Sequence, residues 1–344
     1  MTRGDYALGR LGGARSRLLA AGGLTDLLAR ADLPERLDLL RPSLWGASLP
    51  AAPAGRPAEL DGVEAALAAE FRRQIERVTD DLEGARRRRF QAFLLSQEAA
   101  SLKGLLRALS RGLKPEEATG LLEPAVALGR AELLELAASK DAAEVASRLA
   151  AWKSPFARSV AEHAEAFRTP GGLFRLEAAL DRVAFATALA EARGPGEDRR
   201  VLRRLTGAQA DLANAALLLA LAGIPEPPEL GAPGGERIGE DEFRRLSGQA
   251  GAPLAVALAR RLSDLLGPAD AAAAELSKPL AADHLFGRAL CRFARAEARS
   301  SPLSLAVPCA FALDLVEELR RVRLVLRATE LGYPPSALLE LLEA

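Results

Sequence analysis

The chain is poor in the residues that build sheets. Across 344 residues isoleucine occurs only at Ile75, Ile224 and Ile238, and Phe, Trp and Tyr together make up 4%. β-Branched and aromatic side chains fit a pleated surface, whereas the Ala, Leu, Arg and Glu that fill this sequence favour helices, so the expectation is an all-α fold. Cysteine is nearly absent: Cys291 and Cys309 are the whole supply, which excludes a disulfide scaffold and suits a reduced, cytoplasmic compartment. Lysine is limited to Lys103, Lys114, Lys140, Lys153 and Lys278, but 46 basic residues balance 46 acidic ones, so no global field steers the chain to nucleic acid or an anionic membrane. Long apolar runs are missing too. Leu212 to Pro225 and Ser300 to Leu313 are the longest uncharged stretches, well short of the roughly 20 residues a membrane span needs. The first residues, with Arg3, Asp5, Arg10 and four glycines by position 13, do not read as a signal peptide.

What is present is helical grammar. Leu102, Leu105, Leu106 and Leu109 fall at i, i+3, i+4 and i+7, and Leu315, Leu319, Val322 and Leu326 form a second such stripe. A long amphipathic pattern from Leu60 to about Leu109 is interrupted near Gly84 and the run Arg86 to Arg89, where a bend or a turn between two helices is expected. Thr25 reads as a cap, Thr206 with Gln209 as a capping box, and Ser154-Pro155, Ser301-Pro302 and Ser336 as helix starts. Proline- and glycine-rich connections are expected at Gly46 to Pro57, Thr169 to Gly172, Gly194 to Gly196 and Gly223 to Gly239.

One pattern occurs three times: an acid, a polar residue three later, a leucine-rich run, then glycine and proline. The copies are Glu98, Ser101 and Gly112; Asp211, Asn214 and Gly223; and Glu318, Arg321 and Gly332. The acids lie 113 and 107 positions apart (211−98 and 318−211). A repeat of that length in a helical chain points to three similar lobes in pseudo-threefold arrangement, with boundaries near 1–122, 123–232 and 233–344.

Catalytic chemistry is hard to find. His163, His284, Cys291 and Cys309 show no paired metal-ligand spacing, and no phosphate loop or dinucleotide fingerprint is present, so neither cofactor nor metal is expected. Asp80-Asp81-Leu82-Glu83 loosely matches the aspartate-rich motif of all-helical prenyl-diphosphate enzymes, but a second acidic cluster is missing, and a solvated helix end accounts for the same residues. Arg86 to Arg89 follow those acids and lack interleaved aromatics, which favours a solvated face over nucleic-acid binding.

A set of residues in fixed order carries a resemblance. It comprises Tyr6, Arg10, Arg15 and Leu18-Leu19; Trp45-Gly46; Ser101-Leu102 with Leu105-Leu106-Arg107; Asp211 and Asn214 followed by Gly234-Gly235; and Pro302-Leu303 followed by Glu318, Arg323, Gly332 and Pro334. In these the chain resembles the C subunit of bacterial and archaeal V/A-type rotary ATPases, the family of subunit d of the vacuolar enzyme. The family's acid-x-x-Asn pattern is intact only at Asp211 and Asn214; Ser101 and Arg321 stand where Asn is common. The resemblance implies a funnel-shaped, non-catalytic central-stalk adaptor without a membrane span, peripheral on the cytoplasmic face. It would couple the shaft subunits D and F to the membrane proteolipid ring. Glu98, Ser101, Asp211, Asn214, Glu318, Arg321 and Arg323 are then candidate partner-interface residues; the other reading of the three acids is that they cap or pair within their own lobes. A generic helical scaffold is the competing class, although the 20- to 50-residue periods of solenoids are absent.

Overall fold

A computed structural model describes residues 3–19, 22–30, 32–49, 59–115, 117–118, 122, 126–169, 171–224, 230–278, 281–334 and 338–339. The connection bearing Pro50, Pro53 and Pro57, the prolines Pro170, Pro225 and Pro335, and the start at Ser336 lie outside them. Among the described residues there are sixteen α-helices and no strand. They are α1 Arg3–Arg15, α2 Gly23–Leu28, α3 Leu33–Leu40, α4 Leu60–Asp81, α5 Gly84–Ser110, α6 Arg130–Ala137, α7 Ala142–Ala151 and α8 Ala157–His163. Then follow α9 Gly172–Glu191, α10 Glu197–Ala220, α11 Glu240–Leu246, α12 Gly251–Arg261, α13 Ser263–Leu266, α14 Ala269–Leu276, α15 Ala281–Ser300 and α16 Ala306–Glu330.

The chain divides into two compact units, Met1–Arg87 with Lys278–Ala344, and Arg88–Ser277. In the first, the two ends of the chain fold together. Helices α15 and α16 pair as a hairpin, and α1, α2 and α4 pack on α16. The stripe Leu315, Leu319, Val322 and Leu326 is buried there, as its spacing requires. Helices α1, α2 and α4 therefore share a core with α16.

The second unit is built on the other stripe. Leu102, Leu105 and Leu106 of α5 are fully buried against Leu136, Val145, Leu149, Phe156, Val160, Leu176 and Leu180 from α6 to α9. The interruption expected near Gly84 is real: α4 ends at Asp81, and Gly84 restarts the helix at φ +53°.

Three expected helix starts are displaced. Thr206 and Gln209 lie inside α10, which begins at Glu197 after Gly196 at φ 120°. Glu197 and Asp198 favour the positive end of the helix dipole, and burial of Val201, Leu202 and Leu205 carries the helix through the supposed box. Gln209 instead donates to Ser96 Oγ at 3.0 Å. The last long helix is capped by Ser304, whose Oγ accepts the Ala306 N–H at 3.1 Å, and not by Ser301, whose carbonyl accepts the Ser304 hydroxyl. Thr25 sits within α2, which starts at Gly23 without a side-chain cap.

Candidate functional site

The three repeated acids occupy equivalent places, each near the middle of a long helix and each turned onto non-helical backbone. Glu98 on α5 is buried, and its Oε2 accepts the N–H groups of Val126 and Ala127 at 2.8 and 3.0 Å. Asp211 on α10 is fully buried; its Oδ1 accepts the N–H groups of Arg237 and Ile238 at 2.9 and 2.8 Å. Glu318 on α16 accepts the Leu19 N–H at 3.1 Å and the Trp45 indole N–H at 2.6 Å.

In every case the held backbone leads into a short helix whose cap is glycine: Gly129 before α6, Gly239 before α11 and Gly22 before α2. A buried N–H without an acceptor costs about 1 to 3 kcal/mol, and a carboxylate is the strongest side-chain acceptor for two such donors at once. The acids thus fix how each short helix departs from its long one. For the first two the held segment follows 26 to 29 residues later, whereas Leu19 precedes Glu318 by 299.

The residues three positions on behave differently. Asn214 completes the second copy: its amide donates to the Ala232 and Ile238 carbonyls at 3.0 and 2.8 Å, and its Oδ1 accepts the Ala232 N–H at 2.6 Å. Ser101, fully buried, donates back to the Gln97 carbonyl of its own helix at 3.2 Å. Arg321 pairs with Glu317 at 2.8 Å, and Arg323 lies 3.5 Å from Glu64, which also binds Arg327. In the copy that keeps the Asn, this position holds a loop.

Electrostatics separates the copies further. Asp211 has a cation, the Arg237 guanidinium at 2.9 Å, which also grips the exposed Asp264 and holds its carboxyl below the usual range. The hydrogen bonds described for Glu318 come from neutral N–H groups. Burial pushes its carboxyl up to about 7, with the nearby Asp314 charge adding to the rise and the Leu19 and Trp45 bonds opposing it. Asp314, itself raised by burial, carries ion pairs to Arg295 at 2.8 Å and Arg15 at 2.9 Å.

Glycines leave room for this packing. A Cβ on Gly235 would sit 2.6 Å from the Ile238 carbonyl oxygen and 2.7 Å from Asp211 Oδ1. One on Gly46, next to Trp45, would sit 1.9 Å from the Arg41 carbonyl oxygen.

The sequence pattern locates the three acids but not what they hold. Arg237 is within its reach, because it follows Gly234-Gly235. Leu19 and Trp45 are not, since no local spacing links positions some 300 residues apart. Of the sparse chemical residues, Cys291 is buried, with its thiol pushed up to about 12 and directed at the Leu313 carbonyl. No helix among the described residues is long and apolar enough to cross a membrane.

A family model described as ATP synthase (C/AC39) subunit matches residues 7–341. Comparison with curated proteins gave no match.

Proposed function

The chain belongs to the ATP synthase (C/AC39) subunit family of V/A-type ATPases, and from that membership we propose that it is the non-catalytic central-stalk adaptor of such a complex. In this reading it receives the shaft subunits D and F, rests on the cytoplasmic face of the membrane proteolipid ring, and passes torque between ion translocation and ATP chemistry. The observation that carries the proposal is the extent of the match, which runs from residue 7 to residue 341.

The repeated acids support it in a second way. Three carboxylates that each hold the backbone before a short helix are a means of building three related lobes with fixed internal geometry, as a part that transmits torque needs. Glu98, Ser101, Asp211 and Asn214 are buried against their own chain, so their share in partner binding is to hold the segments that partners meet. On α16, Glu318 holds Leu19 and Trp45, and Arg323 ties α16 to Glu64 of α4.

Size-exclusion chromatography of this protein with the same organism's D and F subunits tests the reading. A stable ternary complex is expected, and detergent-solubilised proteolipid ring should add to it. A folded, helical protein that binds neither shaft nor ring would overturn the assignment.

A further inference from the structure

The third acid differs from the other two in what it fastens. Glu98 and Asp211 hold segments that follow closely in the chain; Glu318 holds the opposite end of the protein, and it does so at two points, Leu19 and Trp45. Between these points run α2 and α3. The segment closes on itself through the Leu44 N–H, which donates to the Arg17 carbonyl at 2.7 Å. Its Leu44 and Trp45 are buried.

We propose that the described residues between 17 and 48, with α2 and α3 among them, form a strap clasped to α16 by Glu318, and that the protonation state of this one carboxylate sets how firmly the strap is held. The geometry gives the carboxylate this leverage: it is the common acceptor of both fastening points. Its charged neighbours are fixed elsewhere. On α16, Asp314 is engaged by Arg15 of α1 and Arg295 of α15, while Glu317 is engaged by Arg320 and Arg321. On α4, Glu64 is taken by Arg323 and Arg327, and Glu70 by Arg73 and Ser48. From α15, His284 faces Glu317, and on the strap Arg17 donates to the Ser43 carbonyl.

The direction follows from linkage. With the strap docked, Glu318 titrates near 7; released into water it returns to its ordinary value of 4.5. The docked form therefore binds the proton more tightly, and docking weakens as pH rises through this interval. Between pH 5.5 and 8 the docking equilibrium should fall about 30-fold, with little further change above pH 8.

Hydrogen exchange on the full chain reads this directly. The Leu19 amide, corrected for the intrinsic pH dependence of exchange, should lose about 30-fold in protection over that range relative to the Val126 and Ala127 amides. In a Trp152→Phe background, emission from Trp45 should shift to the red in step. Glu318→Gln should remove both dependences. Protection at Leu19 that does not change with pH in the unmodified protein would overturn the proposal, and that result needs no variant to fold. So would a Glu318→Gln protein that keeps the pH dependence. The measurement involves no partner subunit, so its outcome is independent of the adaptor assignment.

Discussion

Asp211 Oδ1 and the Ile238 N–H meet at 2.8 Å in a position with no solvent access to either residue, 27 positions apart in sequence. The same oxygen accepts the Arg237 N–H, and the other oxygen takes the Arg237 guanidinium. One aspartate thus meets two backbone donors and one half-buried cation. Replacing it with alanine strands the two N–H groups and leaves the guanidinium only its outer partner, Asp264. Asp211→Ala should lower stability by about 3 to 5 kcal/mol, and Asp211→Asn by less, because the amide oxygen still accepts. Urea unfolding followed by circular dichroism measures both.

The Arg237 bridge should be strongly asymmetric. Asp264, at its outer end, is 59% exposed, so Asp264→Ala should cost no more than about 1 kcal/mol. Arg237→Ala, which leaves the buried Asp211 without its cation, should cost about 3 to 5 kcal/mol. Equal costs for the two substitutions, measured in the same unfolding assay, would contradict this arrangement.

Glycine positions offer a paired test of packing. Gly235→Ala drives a methyl against the Ile238 carbonyl and the Asp211 carboxylate, and should destabilise by about 1 to 3 kcal/mol. Gly62 lies exposed in α4, where an added methyl would meet nothing within 4 Å, so Gly62→Ala should stabilise by about 1 kcal/mol through helix propensity. Opposite signs of the change in melting temperature are expected.

His284 should make the protein less stable in mild acid. Its pKa is lowered from the ordinary 6.5 chiefly by burial, with the nearby Glu317 charge opposing. The unfolded chain therefore takes up the proton first, and stability is lost as pH falls through about 6.5. Glu318 acts in the opposite sense over an overlapping range. His284→Gln should flatten the acid limb of a stability profile recorded from pH 5 to 8 and leave the Glu318 contribution in place.

The fold was legible to the extent that it is local. Leu102, Leu105 and Leu106, and Leu315, Leu319 and Val322, announce their buried faces through a 3.6-residue period, and Gly84 announces the break between α4 and α5. Thr206 and Gln209 misled for the same reason. A capping box is a local signal, and buried Val201 and Leu205 upstream of it made continuing the helix more favourable than starting one there. Ser301 misled by three residues, because Ser304 offers the same hydroxyl one turn closer to α16.

The sequence by itself determined that this protein is helical, where most of its long helices run, and that one acid recurs on three of them. Tertiary structure alone decided what those acids do. A carboxylate that captures backbone N–H groups leaves no signature in its partner, since every residue except proline carries the same donor. Ile238, Val126 and Ala127, and above all Leu19 are therefore invisible as partners until the chain is folded. For Leu19 the reason is also topological: its contact exists only because the first helices of the chain pack on the last.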